Sequence, residues 1–226
     1  MRYLILADVH GSIGNLDKVL EYARAEGIKS IILLGDLPAY GELKNQKGNI
    51  DWCRRILDKL KDFNLLAIPG NCDTPAILDE LDGRGISLHK KIKAEKDMNL
   101  IGFGGSTVTP YQTPFELGEE EIHDGLEKLM KKTGSGKKIL LMHQPPWNTR
   151  CDVTYQGGHV GSTALREIIE RYQPNIVLCS HIHESGGTKD VIGETRIYNT
   201  GALLNGYFSV LDSGNLTVEL HGLGGK

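Results

Sequence analysis

The chain has 226 residues, of which 39% are hydrophobic and 24% are charged, a composition that excludes a disordered or fibrous protein. The 26 basic and 29 acidic residues give a net charge of −3 with the histidines neutral. Such a mildly acidic chain lacks the basic field that non-specific binding to nucleic acids or anionic membranes requires, so we expect neither as a partner.

The N-terminal sequence MRYLILADVH has too short an apolar run for a signal peptide, and no later segment is apolar over a membrane-spanning length. The four cysteines are widely separated and form no CxxC pair: Cys53, Cys72, Cys151 and Cys179. This spacing argues against a disulfide framework or a thiolate zinc site, and it favours a cytoplasmic location.

In chain order, short apolar runs typical of buried strands alternate with apolar residues at helical spacing. The predicted strands are 3–7, 31–34, 65–68, 86–88, 90–94, 98–103, 139–142, 176–179, 191–192, 196–198, 207–211 and 216–220. The predicted helices lie around residues 16–23, 52–60, 75–81, 118–132 and 165–172. Gly27 is the expected C-terminal stop of the first helix.

The alternation of strands and helices predicts a parallel sheet, and the strand-rich middle and end of the chain predict a second sheet packed against it. The predicted fold class is therefore α/β, in the form of an α+β sandwich with two mixed β-sheets packed together and flanked by helices. No internal repeat, low-complexity tract or linker-like stretch interrupts the sequence. We therefore expect a single domain over residues 1–226.

One long segment, 144–161, carries neither a strand nor a helix pattern. A loop of this length in a compact domain is either disordered or functional. Within it, Cys151 and Asp152 are expected to be ordinary surface residues. Ser162, just after the segment, is either a pocket residue or the N-cap of the helix that follows.

Polar clusters follow five of the predicted strands directly. They are Asp8-Val9-His10-Gly11, Gly35-Asp36, Gly70-Asn71-Cys72-Asp73, His143-Gln144-Pro145-Pro146 and Ser180-His181-Ile182-His183. Because ligands of open α/β sheets bind beyond the carboxyl ends of the strands, we expect these clusters to converge on one site. The histidines outside the clusters are expected to be ordinary hydrogen-bonded residues: His89, His123 and His221.

The residue types in the clusters suit divalent metals. Imidazoles and carboxylates without a thiolate pair favour Mn, Fe, Ni, Co or Zn over Ca. Residues two apart in an extended chain project to the same side, so Asp8 with His10, and His181 with His183, can each reach a common centre. Seven candidate ligands are too many for one such ion, and they suit two ions that share a bridging carboxylate.

The order of the motifs, D-x-H, G-D, G-N-[H/C]-[D/E], H and G-H-x-H, resembles that of the calcineurin-like metallophosphoesterases, and it spans Asp8 to His183. By this resemblance, one metal is held by Asp8, His10, Asp36 and His183. The second metal is held by Asp36, Asn71, His143 and His181, with Asp36 as the bridge. The resemblance also implies a four-layer metallophosphatase-like fold, which agrees with the two packed sheets predicted above.

A closer resemblance is to the Icc-related predicted phosphoesterases, in a variant with Gly70-Asn71-Cys72-Asp73. It rests on Gly105-Ser106, Thr113-Pro114-Phe115-Glu116, His143-x-Pro145-Pro146, Gly158-His159-Val160-Gly161-Ser162 and His181-Ile182-His183-Glu184. Three positions depart from the family pattern. Ser180 replaces a Gly, Thr200 replaces a Pro, and Cys72 stands where many members carry a catalytic His.

The resemblance implies a metal-dependent phosphoric ester hydrolase, in which a hydroxide bridging two divalent metals attacks phosphorus. Phosphodiesters are the expected substrates. The alternatives are a phosphomonoesterase acting on nucleotides or small phosphates, and a metal-binding scaffold without activity. Mn²⁺ is the expected metal, with Fe, Ni, Co and Zn as alternatives. The expected partner is a small phosphoester, and a homo-oligomer is compatible with the sequence.

Two residues besides the ligands are assigned to catalysis, Cys72 and Asp73. Asp73 is expected to orient an imidazole or a metal-bound water rather than to bind metal. The Cys72 thiol is a poor proton donor, so esters with acidic leaving groups should react fastest unless another group, such as His159, supplies the proton. Ser106 and His159 are the candidate substrate-binding residues, although the loop around Ser106 serves equally well to cap helix 118–132.

Overall fold

Thirteen strands and five α-helices lie within residues 1–224, the part of the chain that the computed structural model describes. The strands are β1 Arg2–Leu6, β2 Ser30–Leu33, β3 Asn64–Ala67, β4 Lys91–Glu95, β5 Met98–Phe103, β6 Ser106–Thr107, β7 Glu116–Leu117, β8 Lys137–Met142, β9 Ile176–Cys179, β10 Lys189–Ile192, β11 Thr195–Asn199, β12 Tyr207–Asp212 and β13 Thr217–Gly222. The helices are α1 Ile13–Ala25, α2 Gln46–Lys59, α3 Ala76–Gly83, α4 Glu119–Lys132 and α5 Thr163–Tyr172. None of the helices described is long and apolar enough to cross a membrane.

The strands form two large mixed sheets and one small parallel pair, β6 with β7. The first sheet has the order β13-β12-β1-β2-β3, in which β1, β2 and β3 are parallel and the other two strands run antiparallel to their neighbours. The second sheet has the order β10-β11-β9-β8-β5-β4, parallel in its centre and antiparallel at both edges. The predicted fold class, two mixed sheets flanked by helices, is confirmed.

The apolar core has three parts, which correspond to the interfaces between four layers. Ile5 of β1 and Leu141 of β8 belong to the middle part, where the two sheets pack on each other. Their neighbours Leu6 and Leu140 point the other way, the first towards α1 and α2 and the second towards α4 and α5. Because both faces of these strands are buried, the sequence there is apolar without alternation.

Helix boundaries follow from local sequence chemistry. Helix α1 buries a stripe at intervals of three or four residues, consisting of Leu16, Val19, Leu20 and Ala23. Gly27 follows its C-terminus with a φ of +64°, a conformation that a residue without Cβ adopts readily, and the predicted stop is confirmed. Helix α5 begins after Ser162, whose hydroxyl oxygen accepts a hydrogen bond of 3.0 Å from the backbone N–H of Leu165. Ser162 is therefore an N-cap.

The predicted strand 86–88 is wrong. After α3 this segment forms only a bridge to Ala67, whose N–H donates to the carbonyl of Ile86 at 2.9 Å and whose carbonyl accepts from Leu88 N–H at 2.8 Å. Leu88 still reaches the core between the two sheets. The two apolar residues Ile86 and Leu88 are thus anchored by the bridge of Ser87 to Ala67, without a ladder of paired strands.

The expectation that Cys151 and Asp152 are surface residues is also wrong, because both are fully buried. Asp152 lies at the centre of the loop 144–161, and its carboxylate accepts hydrogen bonds from the backbone N–H groups of Asn148, Thr149 and Gly161 at 2.8–3.1 Å. A carboxylate that satisfies three backbone donors replaces the hydrogen bonds that a regular element would supply. The loop is therefore folded around Asp152.

Candidate metal centre

The polar clusters that follow β1, β2, β3, β8 and β9 come together at the carboxyl ends of these strands. The backbone N–H of Asp8 donates to the carbonyl of Gly35, and that of His10 donates to the carbonyl of Asp36, both at 3.0 Å. The backbone N–H of His181 donates to Asp8 Oδ2 at 3.1 Å. These bonds join the clusters of both sheets into one site between the sheets.

One group of ligand atoms belongs to Asp8, His10 and His183, and all three atoms lie within 4.8 Å of one another. Asp8 Oδ1 is 3.5 Å from His183 Nε2 and 4.0 Å from His10 Nε2. Asp8 and His10 are buried, and His183 is partly exposed. His183 is therefore the member of this group that solvent reaches most easily.

A second group surrounds Asp36. Its Oδ2 lies 3.6 Å from His10 Nε2 and 3.5 Å from His143 Nε2, so this carboxylate stands between the first group and His143. Asp36 Oδ1 accepts a hydrogen bond of 2.7 Å from the backbone N–H of Cys72. Asn71 is adjacent, with Oδ1 2.8 Å from His143 Nε2. Asp36 thus contacts His10 of the first group as well as His143, and with Asp8 and His143 it forms a further group of close ligand atoms.

His181 is near these groups but is not part of a ligand triad. Its ring centroid is 5.0 Å from that of His143. Burial, with the neighbouring imidazole of His143 acting in the same direction, lowers the pKa of His181 to about 4, although the carboxylates of Asp36 and Asp8 act to raise it. The ring is therefore neutral at physiological pH, the state that a metal ligand requires.

The backbone at the site is strained. Asp8, His10, Asp36 and His181 have φ values of +47°, +42°, +57° and +66°, in the left-handed region that residues other than Gly seldom occupy. Strain of this kind persists only where the surrounding structure determines the conformation, and it is concentrated at functional sites. Here it turns side chains at strand ends towards a common point.

The charges of the site are coupled. Burial raises the pKa of Asp8, but the imidazoles of His183 and His143 more than offset this and hold it well below its usual range. Burial likewise raises the pKa of Asp36, and His143 and His10 bring it to about 2. For His143 both effects have the opposite direction. Burial lowers the pKa of its imidazole, and the carboxylates of Asp36 and Asp8 more than offset this, so that the pKa is raised to about 9. Both carboxyl groups are therefore ionised at neutral pH.

The residues fit a divalent metal pair. Asp8 Oδ1 is buried without a hydrogen-bond partner among the described residues, although a buried carboxylate oxygen strongly needs one. Nδ1 of His143 and Nδ1 of His10 face the carbonyls of Leu34 and Pro38 at 2.7 and 3.3 Å. Because a carbonyl only accepts, each Nδ1 carries a proton, so Nε2 is the nitrogen of each ring that would bind a cation beside the carboxylates.

The two residues assigned to catalysis are both buried. Cys72 Sγ lies within 4.8 Å of the ligand atoms of His10 and Asp36, and burial together with Asp36 raises the pKa of its thiol far above the ordinary value. The Asp73 carboxylate accepts from the backbone N–H groups of Asp36, Leu37 and Gly70 at 2.7–3.0 Å. Where the sequence suggested an imidazole or a water as its partner, Asp73 instead holds the backbone that carries Asp36.

The two candidate substrate-binding residues differ in exposure. Ser106 is fully buried, and its hydroxyl donates to the carbonyl of Thr107 at 2.8 Å. His159 has a side chain that is 33% exposed, with Nδ1 2.7 Å from Asp152 Oδ1. Its loop begins beside His143 and also contacts Ser185, whose hydroxyl accepts from the backbone N–H of Val153 at 3.0 Å. Of the two, only His159 is available to a ligand.

Sequence reasoning missed two contacts of the ligands. Tyr40 stacks on His10, with ring centroids 4.1 Å apart and planes inclined by 20°, while half of its own surface is exposed. The hydroxyl of Ser180 donates to Asp8 Oδ2. The contact of Ser180 with Asp8 had a signal in the sequence, the replacement of the family's Gly by Ser at position 180. The stacking of Tyr40 on His10 had none, because nothing in the sequence pattern around Tyr40 indicated it.

Together, the four-layer fold and the Asp, His and Asn side chains at its strand ends define a metal-dependent hydrolase. The sequence profile of the calcineurin-like phosphoesterases matches residues 1–185. The chain therefore belongs to the calcineurin-like phosphoesterase family. An uncharacterised protein of Methanocaldococcus jannaschii, MJ1162, is 33% identical over 88% of this chain and 87% of its own length. Another from that organism, MJ0912, is 24% identical over 63% of this chain and 49% of its own length.

Solved structures share the fold. The protein TT1561 of Thermus thermophilus is similar over 98% of both chains, with a TM-score of 0.73 and 20% identity. A dimetal phosphatase from Danio rerio is similar over 98% of this chain and 95% of its own, with a TM-score of 0.67 and 12% identity. A novel archaeal phosphodiesterase is similar over 99% of this chain and 100% of its own, with a TM-score of 0.50 and 14% identity.

Proposed function

We propose that this chain is a dinuclear metal-dependent phosphoesterase that hydrolyses phosphodiesters. The observation that carries the proposal is the position of Asp36, whose Oδ2 lies 3.6 Å from His10 Nε2 and 3.5 Å from His143 Nε2. A carboxylate that faces two groups of ligands is what a two-metal hydrolase needs as its bridge. Asp8, His10, Asp36 and His183 hold one ion, and Asp36, Asn71, His143 and His181 hold the other.

Two divalent cations at this centre would supply a water of lowered pKa and positive charge for the phosphate oxygens. The residues of the chain hold and orient them. Asp8 and Asp36 remain ionised, and His143 presents Nε2 because its Nδ1 proton is bound to a backbone carbonyl. Cys72 has no nucleophilic role, since burial and the Asp36 carboxylate raise the pKa of the thiol and the reactive thiolate does not form.

The preference for diesters is supported by charge. A phosphate monoester carries a charge of about −1.5 to −2 at neutral pH, whereas a diester has a single acidic oxygen. None of the buried side chains within residues 1–224 belongs to Lys or Arg, so the second charge of a monoester would lack a buried basic partner. The fold shared with a phosphodiesterase is compatible with this preference.

We assign the proton of the leaving group to His159. Asp152 is fully buried and accepts the Nδ1 proton of His159, which leaves Nε2 of this partly exposed side chain to exchange a proton with a ligand. A carboxylate that fixes the tautomer of an imidazole in this way is a recurrent support for general acid–base catalysis. Cys72 is unsuited to the same task because its position is buried.

The reaction is tested with protein of measured metal content. We expect the Mn²⁺-loaded protein to hydrolyse bis(p-nitrophenyl) phosphate at least about tenfold faster, in kcat/KM, than p-nitrophenyl phosphate. Chelation should abolish the activity and Mn²⁺ should restore it, while Asp36→Asn should lose about 100-fold or more. A faster monoester reaction would make the enzyme a phosphomonoesterase, and full activity after verified metal removal would contradict the mechanism altogether.

The assignment of the proton donor is tested by varying the leaving group. For His159→Gln we expect a loss of about 100-fold with a dialkyl phosphodiester, which must expel an alkoxide, and a much smaller loss with a nitrophenyl diester, whose nitrophenolate leaves without protonation. Cys72→Ser should change either rate less than about twofold. His123→Gln is the matched control, because His123 also pairs with a carboxylate, Asp124, at 3.2 Å. Equal losses for both leaving groups would remove His159 from this role.

A further inference from the structure

The side chain of Asn71 has different partners at its two ends. Its Oδ1 lies 2.8 Å from His143 Nε2, and its Nδ2 lies 3.0 Å from the hydroxyl oxygen of Thr113 and 3.6 Å from Cys72 Sγ. An amide has an acceptor at one end and a donor at the other, so only one of its two orientations offers an oxygen to a cation. The orientation must therefore be specified by the surrounding residues.

A chain of hydrogen bonds specifies it. Glu116 Oε1 lies 2.6 Å from Thr113 Oγ1, 2.8 Å from the backbone nitrogen of Thr113 and 2.5 Å from Thr109 Oγ1. A carboxylate only accepts, so the Thr113 hydroxyl must use its proton on Glu116. The oxygen of that hydroxyl is then left as an acceptor, and the group that faces it on Asn71 must be the NH₂ end.

The other end of the amide agrees with this direction. His143 Nδ1 donates to the carbonyl of Leu34 at 2.7 Å, so in the neutral ring that a metal ligand requires, Nε2 is a lone pair. Without a cation, a proton on Nε2 is donated to Asn71 Oδ1 across this distance of 2.8 Å; when a cation takes the place of that proton, the amide oxygen and the Nε2 lone pair both face it. A rotated amide would instead point its NH₂ group at the position of the cation.

We propose that Thr113 and Glu116 are positioning residues that fix the amide of Asn71 with its oxygen towards the second metal ion, and that they thereby set the affinity for that ion. The inference rests on the proposed function only in taking Asn71 and His143 as ligands of the second ion. Partners that orient a metal ligand in this way typically contribute about 10- to 100-fold in affinity. Thr113 and Glu116 lie on the segment that runs from β6 into β7, so this segment acts on one metal site of the two.

The test is a titration of metal-free protein with Mn²⁺, followed by calorimetry and by electron paramagnetic resonance. For Thr113→Val we expect the second Mn²⁺ to bind about 10- to 100-fold more weakly and the first to bind as in the wild type. The resonance of uncoupled Mn²⁺ should increase at the expense of the coupled pair. Thr113→Ser, which keeps the hydroxyl, should restore the second affinity to within about threefold.

Thr109→Val is the matched control, because Thr109 donates to the same Glu116 oxygen and makes no hydrogen bond to Asn71. It should bind both ions within about threefold of the wild type. If Thr113→Val does not fold by near-ultraviolet circular dichroism, Thr113→Ala replaces it. Two native affinities in the Thr113 variant would overturn the inference. Wild-type protein that binds one Mn²⁺ would overturn the proposed dinuclear centre instead.

Discussion

His89 is an imidazole that the fold holds in its neutral form. The backbone N–H of Gly104 donates to its Nδ1 at 2.9 Å, so this nitrogen must be a lone pair. The ring packs beside Phe103 and Phe115, with centroids 5.4 and 5.3 Å away. Burial lowers the pKa of His89 to about 4, and the nearby cation of Lys90 acts in the same direction.

We expect His89 to make the free energy of unfolding depend on pH. Its pKa is about 4 in the folded protein and 6.5 in the unfolded chain, so the unfolded chain binds more protons between these values. Stability is then fully present above pH 6.5 and is lost as the pH falls towards 4. Between pH 7.5 and pH 5 the loss due to this residue is about 2 kcal/mol.

The measurement is urea unfolding at both pH values. His89→Asn keeps an acceptor for Gly104 but does not titrate, so its loss of stability between pH 7.5 and pH 5 should be smaller by about 2 kcal/mol than that of the wild type. Equal losses in the two proteins would show that His89 does not carry this pH dependence.

At the scale of residues, the sequence identified the side chains of the site better than their partners. Asp8 and His10 stand out because they follow an apolar run, and the structure places them together. The hydrogen bonds of Asp152 and Asp73 go to backbone groups, which every residue possesses, so no residue type marks them in the sequence. Buried acceptors of this kind become visible only when the chain path is known.

At the scale of elements, helix α4 approaches β5 closely because Gly125 has no side chain. A Cβ at this position would lie 2.4 Å from Cε2 of Phe103. Phe103 is 1% exposed and also contacts His89, so its ring cannot move aside without displacing other core residues. Steric contact therefore outweighs the gain in helix propensity of up to about 1 kcal/mol that Ala offers.

We expect Gly125→Ala to destabilise the protein by about 1–3 kcal/mol, the usual penalty for an oversized side chain in a packed core. Gly14→Ala in α1 is the control. Apart from the adjacent residues and the backbone of α1 itself, no atom lies within 4 Å of the position that its Cβ would take. That substitution should be neutral or stabilising by up to about 1 kcal/mol. Thermal unfolding of both variants decides between these outcomes, and a stable Gly125→Ala would show that Phe103 can repack.

Strands were predictable from the sequence where an apolar run forms hydrogen bonds with neighbouring strands along its whole length. The predicted bounds 98–103 and 176–179 are those of β5 and β9, which lie inside the second sheet. The segment 86–88 carries the apolar residues Ile86 and Leu88 on either side of Ser87, but it has only one bridging partner, and the number of partners depends on the path of α3 before it. Local composition therefore indicates burial, and the sheet topology decides whether burial means a strand.

At the scale of the whole molecule, the two sheets are joined by the site as well as by apolar packing. Asp8 follows a strand of the first sheet, and His181 of the second sheet donates to it. The buried carboxylates of Asp8 and Asp36 repel each other, and in the metal-free protein only imidazoles and hydrogen bonds compensate them. Bound cations should therefore stabilise the association of the sheets.

We expect metal-free protein to remain folded at 25 °C with a lower melting temperature, because the apolar core of this chain does not involve the ligands. Saturation at about 100 times the dissociation constant contributes about 2.7 kcal/mol for each ion. Differential scanning calorimetry with and without Mn²⁺ measures the melting temperature. Asp36→Asn is the control, and Mn²⁺ should raise its melting temperature less than that of the wild type. Unfolding on chelation, or an unchanged melting temperature, would contradict the prediction.

The antiparallel pairing of Arg2 on β1 with Asp212 on β12 has a consequence for synthesis on the ribosome. Strand β1 leaves the ribosome well before β12, so one of its two edges has no partner while the long segment between the two strands is made. Until then the edge exposes unpaired N–H and C=O groups of an apolar strand, which favours association with other chains. The nascent protein thus has a long interval in which a chaperone can protect β1, and Asp8 gains its final surroundings late.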